Sequence, residues 1–215
     1  LQGSFDAING AEWIKVVYGI LLSTLLGFFL GWLNSKALGR VCRNMDRKKT
    51  SRFFRWAQVA SGAGVAFMHG AQDGQKFMSI FVLAITLATG VGQADQMILP
   101  IWLMFFCALN MGIGTAVGGE RIIKSVGLDM VKLEPFQGFA ASAATFFCLM
   151  LSTFAGLPVS TTPTNTTAIM GVGAVKRLSA INFGVVKNMM LTWVFTFPGC
   201  GLISFVMAKL FLLFL

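Results

Sequence analysis

His69, Gln72, Asp73, Gln75 and Lys76 stand together in the stretch His69-Gly70-Ala71-Gln72-Asp73-Gly74-Gln75-Lys76. Two amides, a carboxylate, an ammonium and the only histidine of the chain supply donors, acceptors and both signs of charge. Such a set can hold a small ion. It contains no nucleophile–base pair, and His69 and Asp73 alone are too few ligands for a zinc site, which takes three or four. The stretch interrupts a long apolar run, residues 57–90, and an ionisable group at membrane depth marks a functional site by default. A second polar set, Ser160-Thr161-Thr162, lies between the apolar runs 138–156 and 167–175. Hydroxyls beside exposed backbone N–H groups at a half-helix end suit an oxyanion. A capping run at an ordinary hairpin turn accounts for the same three residues equally well from spacing alone. Asp73 would repel an anion but attract Na⁺ or H⁺. A carboxylate near a donor-rich pocket therefore reads as a coupled site, in which the cation draws the anion in.

The elements that must position these groups are membrane helices. The chain is 56% hydrophobic and 12% charged, with 21 Phe among its 215 residues. Soluble domains carry about 25% charged residues, so this chain lacks the polar groups to cover its own surface in water. The mean hydropathy of +0.76 agrees. The net charge of +9 does not indicate nucleic acid, because eight of the 17 basic residues crowd between positions 36 and 55. These residues (Lys36, Arg40, Arg43, Arg47, Lys48, Lys49, Arg52 and Arg55) separate two apolar runs, as a cytoplasmic loop does under the positive-inside rule. The four cysteines are far apart and form no CxxC pair, so neither a metal cluster nor a disulfide framework is expected.

These patterns predict an all-α, polytopic membrane protein. Residues 1–56 hold a first span, about 14–33, and the basic loop; the N-terminus with Asp6 and Glu12 is expected outside. Residues 57–215 follow as a transport repeat: a broken helix over 57–90, a linker holding Asp95, a span at 98–118, a hairpin at 138–175 and a last span at 189–215. The break is expected at Gly70 and Gly74, because a straight helix of 34 residues would be about 51 Å long against a hydrocarbon core of roughly 30 Å. Loops 119–137 and 176–188 are both basic, which puts both ends of the hairpin on one side, with Ser160–Thr162 at its tip. Whether the hairpin is re-entrant or fully crossing stays open, as does whether Lys76 pairs with Asp73, attracts an anion or snorkels to an interface. Gly27/Gly31 and Gly114/Gly118 are GxxxG pairs of the kind that mark helix contacts. Pro198, Gly199 and Gly201 are expected to bend the last span.

With the residues set out, the chain resembles the inorganic phosphate transporter (PiT) family. His69–Lys76 resembles the GAND-type signature of that family, and Gly156-Leu157-Pro158-Val159-Ser160-Thr161-Thr162 resembles its PVSTT signature. Gly114–Gly119 with Arg121-Ile122-Ile123 is similar to the link before its hairpin. The resemblance implies a carrier of inorganic phosphate coupled to Na⁺ or H⁺, built from two inverted repeats, with no cofactor and no chemical catalysis. By position it implies that Asp73 helps bind the coupling cation, that Gln72 lies near phosphate, and that Ser160, Thr161 and Thr162 bind phosphate oxygens. His69, Gln75 and Lys76 are accessory candidates. The sequence departs from the pattern at Gln72, where the family has Asn, at Pro163, where it has His, and near Ser142, where many members carry an acid.

Each signature occurs once, whereas complete members of the family have two copies. The expectation is therefore the C-terminal repeat of a transporter, either a fragment or a half-size protein that pairs with a second copy. The partners expected are phosphate, the lipid bilayer, the missing N-terminal repeat or another copy, and a homo-oligomer, in a bacterial inner membrane. The alternatives are a carrier for another tetrahedral oxyanion, such as sulfate, and a non-transporting membrane scaffold. Phosphate can donate a proton to a carboxylate whereas sulfate cannot, so an acidic acceptor favours phosphate.

Overall fold

A computed structural model describes residues 10–89, 100–157 and 159–214. Asp6, the Asp95 linker, the first two residues of the 98–118 span and Pro158 lie outside the described residues. Helix α1 (Gly10–Val41) passes through a 3₁₀ turn, Cys42–Asn44, into α2 (Arg47–Thr89). Helix α3 (Ile101–Ile122) winds on as a π-helical segment, Ile123–Met130. Helices α4 (Pro135–Phe154) and α5 (Thr161–Lys176) form the hairpin, and α6 (Phe183–Phe214) ends the chain. Helices α1, α3, α4 and α6 each contain a stretch long and apolar enough to cross a membrane. The protein is thus all-α and multi-pass, with an interrupted helix and a helical hairpin.

The interruption is the 3₁₀ turn Cys42–Asn44 between α1 and α2; it does not fall at Gly70 and Gly74, where the sequence pattern predicts it. Residues 47–89 are one α-helix of 43 residues, about 64 Å long at 1.5 Å per residue, and it continues through Gly70 and Gly74. Neither glycine has a positive φ, and a methyl on Gly70 would meet nothing within 4 Å. A glycine inside a helix costs only about 0.5–1 kcal/mol, while unpaired backbone groups in an apolar setting cost several. Continuity is the cheaper arrangement. One further expectation is revised in the same direction: helical structure runs past residue 118 to Met130. Helix α6 carries Pro198 in its interior.

The hairpin is the centre of packing. Helix α1 lies along α5 and α4, α2 lies along α4, and α3 touches α2. Buried small residues make the closeness possible: Ala140, Ala144 and Cys148 on α4, and Ala168 and Val172 on α5, are all fully buried. Gly27 and Gly31 are the contact points of α1. A methyl on Gly27 would stand 2.8 Å from the Thr164 carbonyl oxygen, and one on Gly31 would overlap the carbonyl of Ala168. The pair Gly114/Gly118 has no such neighbour and faces open space.

The turn between α4 and α5 is set by Gly156. Its φ of +64° ends α4 in a Schellman motif, with Leu157 N–H donating to Ser152 O at 3.0 Å and Gly156 N–H to Thr153 O at 3.1 Å. Below the turn, Thr145 Oγ1 lies 3.0 Å from Ala141 O and 3.1 Å from Asn165 Oδ1. One hydroxyl proton cannot serve both. Turning the Asn165 amide over lets its Nδ2 donate to Thr145 while Thr145 donates to Ala141, which ties α4 to α5.

Candidate functional site

The unbroken α2 carries the polar stretch past the hairpin tip and divides it between two faces. His69, Asp73 and Lys76 fall at helical spacings on one face. His69 Nδ1 is 3.2 Å from Asp73 Oδ2 and 2.8 Å from Thr161 Oγ1 at the start of α5. An ionised carboxylate only accepts hydrogen bonds, so the proton belongs on Nδ1 whenever that contact is made, and Thr161 shares it. Lys76 Nζ donates to the other oxygen, Asp73 Oδ1, at 2.7 Å. The structure contains the ion pair that the spacing of three residues allows. The Asp73 carboxylate, 22% exposed, thus has a donor at each oxygen.

This face opens on a cavity of about 790 Å³ between α2 and α3. His69, Asp73 and Lys76 form its polar wall, while Asn110, Gly114 and Thr115 face them from α3. Gly114 and Gly118 therefore leave room at a cavity rather than at a helix contact.

The neighbouring face of α2 meets the hairpin. Gln72 Nε2 donates to Thr153 Oγ1 at 2.9 Å and to Leu149 O at 3.2 Å. The buried Gln72 Oε1 has no partner among the described residues. A smaller cavity of about 310 Å³ lies beside this contact, lined by Gln72, Gln75, Lys76 and Ser79 of α2 and by Thr153 and Gly156 of the hairpin. Lys76 borders both cavities.

At the tip, Ser160 takes extended backbone angles (φ −100°, ψ 125°) as the N-cap of α5, but its side chain makes no capping bond. The N–H groups of Thr161 and Thr162 open the first turn without an intrahelical acceptor, at the positive end of the helix dipole. Pro163 contributes none. Thr161 is buried against His69, Thr162 is exposed and Ser160 is half-buried.

The structure therefore joins His69, Asp73, Lys76 and Thr161 in one network. It leaves the hydroxyls of Ser160 and Thr162 without a hydrogen bond to α2 among the described residues. Gln72 reaches α4 rather than the tip hydroxyls, because its added methylene carries the amide across to Thr153. Thr153 escaped the sequence reading. Its signal is local: a hydroxyl in the last turn of an apolar helix, three residues before a glycine that ends it.

Comparisons with known proteins bear on the family and the fold. The profile of the Phosphate transporter family matches residues 1–204. A probable low-affinity inorganic phosphate transporter of Bacillus subtilis (strain 168) is 36% identical over 194 residues, covering 90% of this chain and 58% of the relative. One from Mycobacterium tuberculosis (strain ATCC 25618 / H37Rv) is 34% identical over 191 residues, covering 89% of this chain and 45% of its own length. A putative phosphate permease of Pyrococcus abyssi (strain GE5 / Orsay) is 29% identical over 216 residues, covering 96% and 53%. The chain spans about half the length of these relatives. A solved structure of a sodium-dependent phosphate transporter shares the fold, with a TM-score of 0.62 and 22% identity over 90% of this chain and 56% of the other.

Proposed function

This chain belongs to the Phosphate transporter family, and from that premise we propose that it carries inorganic phosphate across a membrane together with Na⁺ or H⁺, by alternating access and without chemical catalysis. The observation that carries the reading is the meeting of α2 with the hairpin tip, where His69 joins Asp73 to Thr161. Family membership supports phosphate as the substrate, and the network supports a physical link between a carboxylate and the start of α5.

In this reading phosphate lies at the N-terminus of α5. The free N–H groups of Thr161 and Thr162 and the hydroxyls of Ser160 and Thr162 meet its oxygens. Gln72 faces the anion from the α2 side once its amide turns away from Thr153 and Leu149; its Oε1, buried and unpaired while those contacts hold, then accepts a phosphate O–H, a proton that sulfate lacks at neutral pH. Asp73 is the coupling group. Its two donors, His69 and Lys76, hold the charge until Na⁺ or H⁺ replaces one of them. His69 then transmits the change to Thr161, and Gln75 and Lys76 border the path.

The tip meets α1 near Gly27 and α2 near His69, close to the middle of both long helices. That level supports a re-entrant hairpin, with the site at membrane depth. The basic ends of α1 and α5 lie together, since both helices run the same way along their shared contact, which supports a cytoplasmic location for that end. A complete carrier is formed with a second, inverted repeat, supplied by further sequence or by another copy in a homo-oligomer, in a bacterial inner membrane. The span of about half of its relatives supports this reading.

The test is uptake of labelled phosphate into proteoliposomes under a Na⁺ or a H⁺ gradient, for this chain alone and co-reconstituted with an N-terminal repeat from a relative. Gradient-driven uptake that Asp73→Asn uncouples from the cation is the expected outcome. Uptake by wild type and Asp73→Asn that responds equally to the gradient would remove Asp73 from coupling, and no uptake in either preparation would remove the function.

A further inference from the structure

The first turns of α2 carry a groove that the transport reading does not use. It is open, about 950 Å³ in volume, and is lined by Asp46, Lys48, Lys49 and Arg52 at one end and by Phe53, Trp56, Ala57 and Ala60 at the other. The helix presents these residues away from the bundle. Phe54, by contrast, packs on Phe139 with ring centroids 5.5 Å apart, and Gln58 lies against Gly138. On the outer side Phe53 is 66% exposed and Trp56 73%.

The charge at the Lys48 end is net positive, three cations against the one carboxylate of Asp46. No carboxylate lies within 4 Å of the Lys48, Lys49 or Arg52 side chains among the described residues. Asp46, the one acid in the groove, accepts the backbone N–H of Lys48 at 3.0 Å and so caps the helix. The positive end of the α2 dipole adds to the field. The apolar end begins level with the first turn of α4, because Phe54 also meets Phe136 there. This is the boundary of an apolar span, where Trp side chains meet lipid headgroups.

We infer that this groove is a binding site for an anionic glycerophospholipid. The headgroup phosphate sits among Lys48, Lys49 and Arg52, and an acyl chain runs down Phe53, Trp56, Ala57 and Ala60. Charge complementarity selects the head, and the apolar wall selects a lipid over a free anion. Inorganic phosphate would satisfy the three cations but leave both aromatic rings uncovered. The site stands on this helix face alone and does not depend on the transport reading.

The experiment is native mass spectrometry of the purified chain, counting retained phosphatidylglycerol against phosphatidylcholine. Each basic side chain at an anionic surface contributes about a factor of five, so the triple variant K48Q/K49Q/R52Q is expected to bind phosphatidylglycerol roughly 100-fold more weakly. The charge-matched variant K132Q/R177Q/K187Q, at the same end of the molecule but outside the groove, is expected to bind it as wild type does. The variant F53S/W56S tests the acyl wall and is expected to lose retention while keeping every cation. Equal losses in the two charge variants, equal retention of phosphatidylcholine, full retention by F53S/W56S, or displacement of the lipid by millimolar inorganic phosphate would each overturn the site.

Discussion

Replacing Gln72 by Met separates a binding role from a structural one, because the local energetics nearly cancel. The wild-type amide donates two hydrogen bonds, at 2.9 Å to Thr153 and 3.2 Å to Leu149. Each contributes about 1 kcal/mol net. The same amide buries Oε1 without a partner, which costs about 1–3 kcal/mol. Met is unbranched and of similar length, so it fills the space and removes both terms. Nothing else is stranded, since Leu149 O keeps the Thr153 hydroxyl at 2.8 Å. Gln72→Met should therefore change stability by less than about 1 kcal/mol, a shift of about 2–4 °C in thermal midpoint for a chain of this size. Thr153→Val, which removes an acceptor and supplies no relief, should cost about 1–2 kcal/mol. Unfolding followed by tryptophan fluorescence in detergent measures both. Phosphate binding should respond in the opposite order, lost in Gln72→Met and retained in Thr153→Val. A loss of more than about 3 kcal/mol in Gln72→Met would refute the reasoning, because no sum of the terms above reaches it.

Two further outcomes follow from the packing. Gly31→Ala should destabilise the protein by more than about 2 kcal/mol, because its methyl overlaps the Ala168 carbonyl; Gly114→Ala, with nothing near it, should be neutral or stabilising by up to about 1 kcal/mol. Thermal midpoints of the two variants in the same detergent decide it, and equal losses would contradict the α1–α5 contact. Thr161→Val keeps the shape of the residue and its backbone N–H but takes the hydroxyl from His69. It should weaken the dependence of uptake on the cation gradient more than it weakens phosphate binding, and the reverse order would put Thr161 on the anion alone.

The sequence made the polar positions conspicuous and left their geometry open. Gln72 and Asp73 stood out because amide and carboxylate groups are costly in an apolar run, a signal that needs no partner to be read. The hairpin was legible for a similar reason: two basic loops fix its ends, and Gly156 supplies the positive φ its turn requires. The continuity of α2 was not legible. Gly70 and Gly74 look alike in sequence whether they break a helix or merely thin it, and what decides is the backbone hydrogen bonding that a break would forfeit. The two GxxxG pairs make the same point. Gly27/Gly31 touches α5, more than 130 residues along the chain, while Gly114/Gly118 borders a cavity. A spacing of four records the shape of one helix face and says nothing about what lies opposite. Thr153 was hidden because its partner, Gln72, is 81 residues away.

The most direct test of the account is equilibrium binding of labelled phosphate to the reconstituted protein with both repeats present, for wild type and for the double variant S160A/T162V. The account predicts saturable binding that excess sulfate does not displace and that the double variant weakens at least tenfold. Undiminished binding in the double variant, or displacement by sulfate as effective as by phosphate, would contradict a phosphate site at the start of α5.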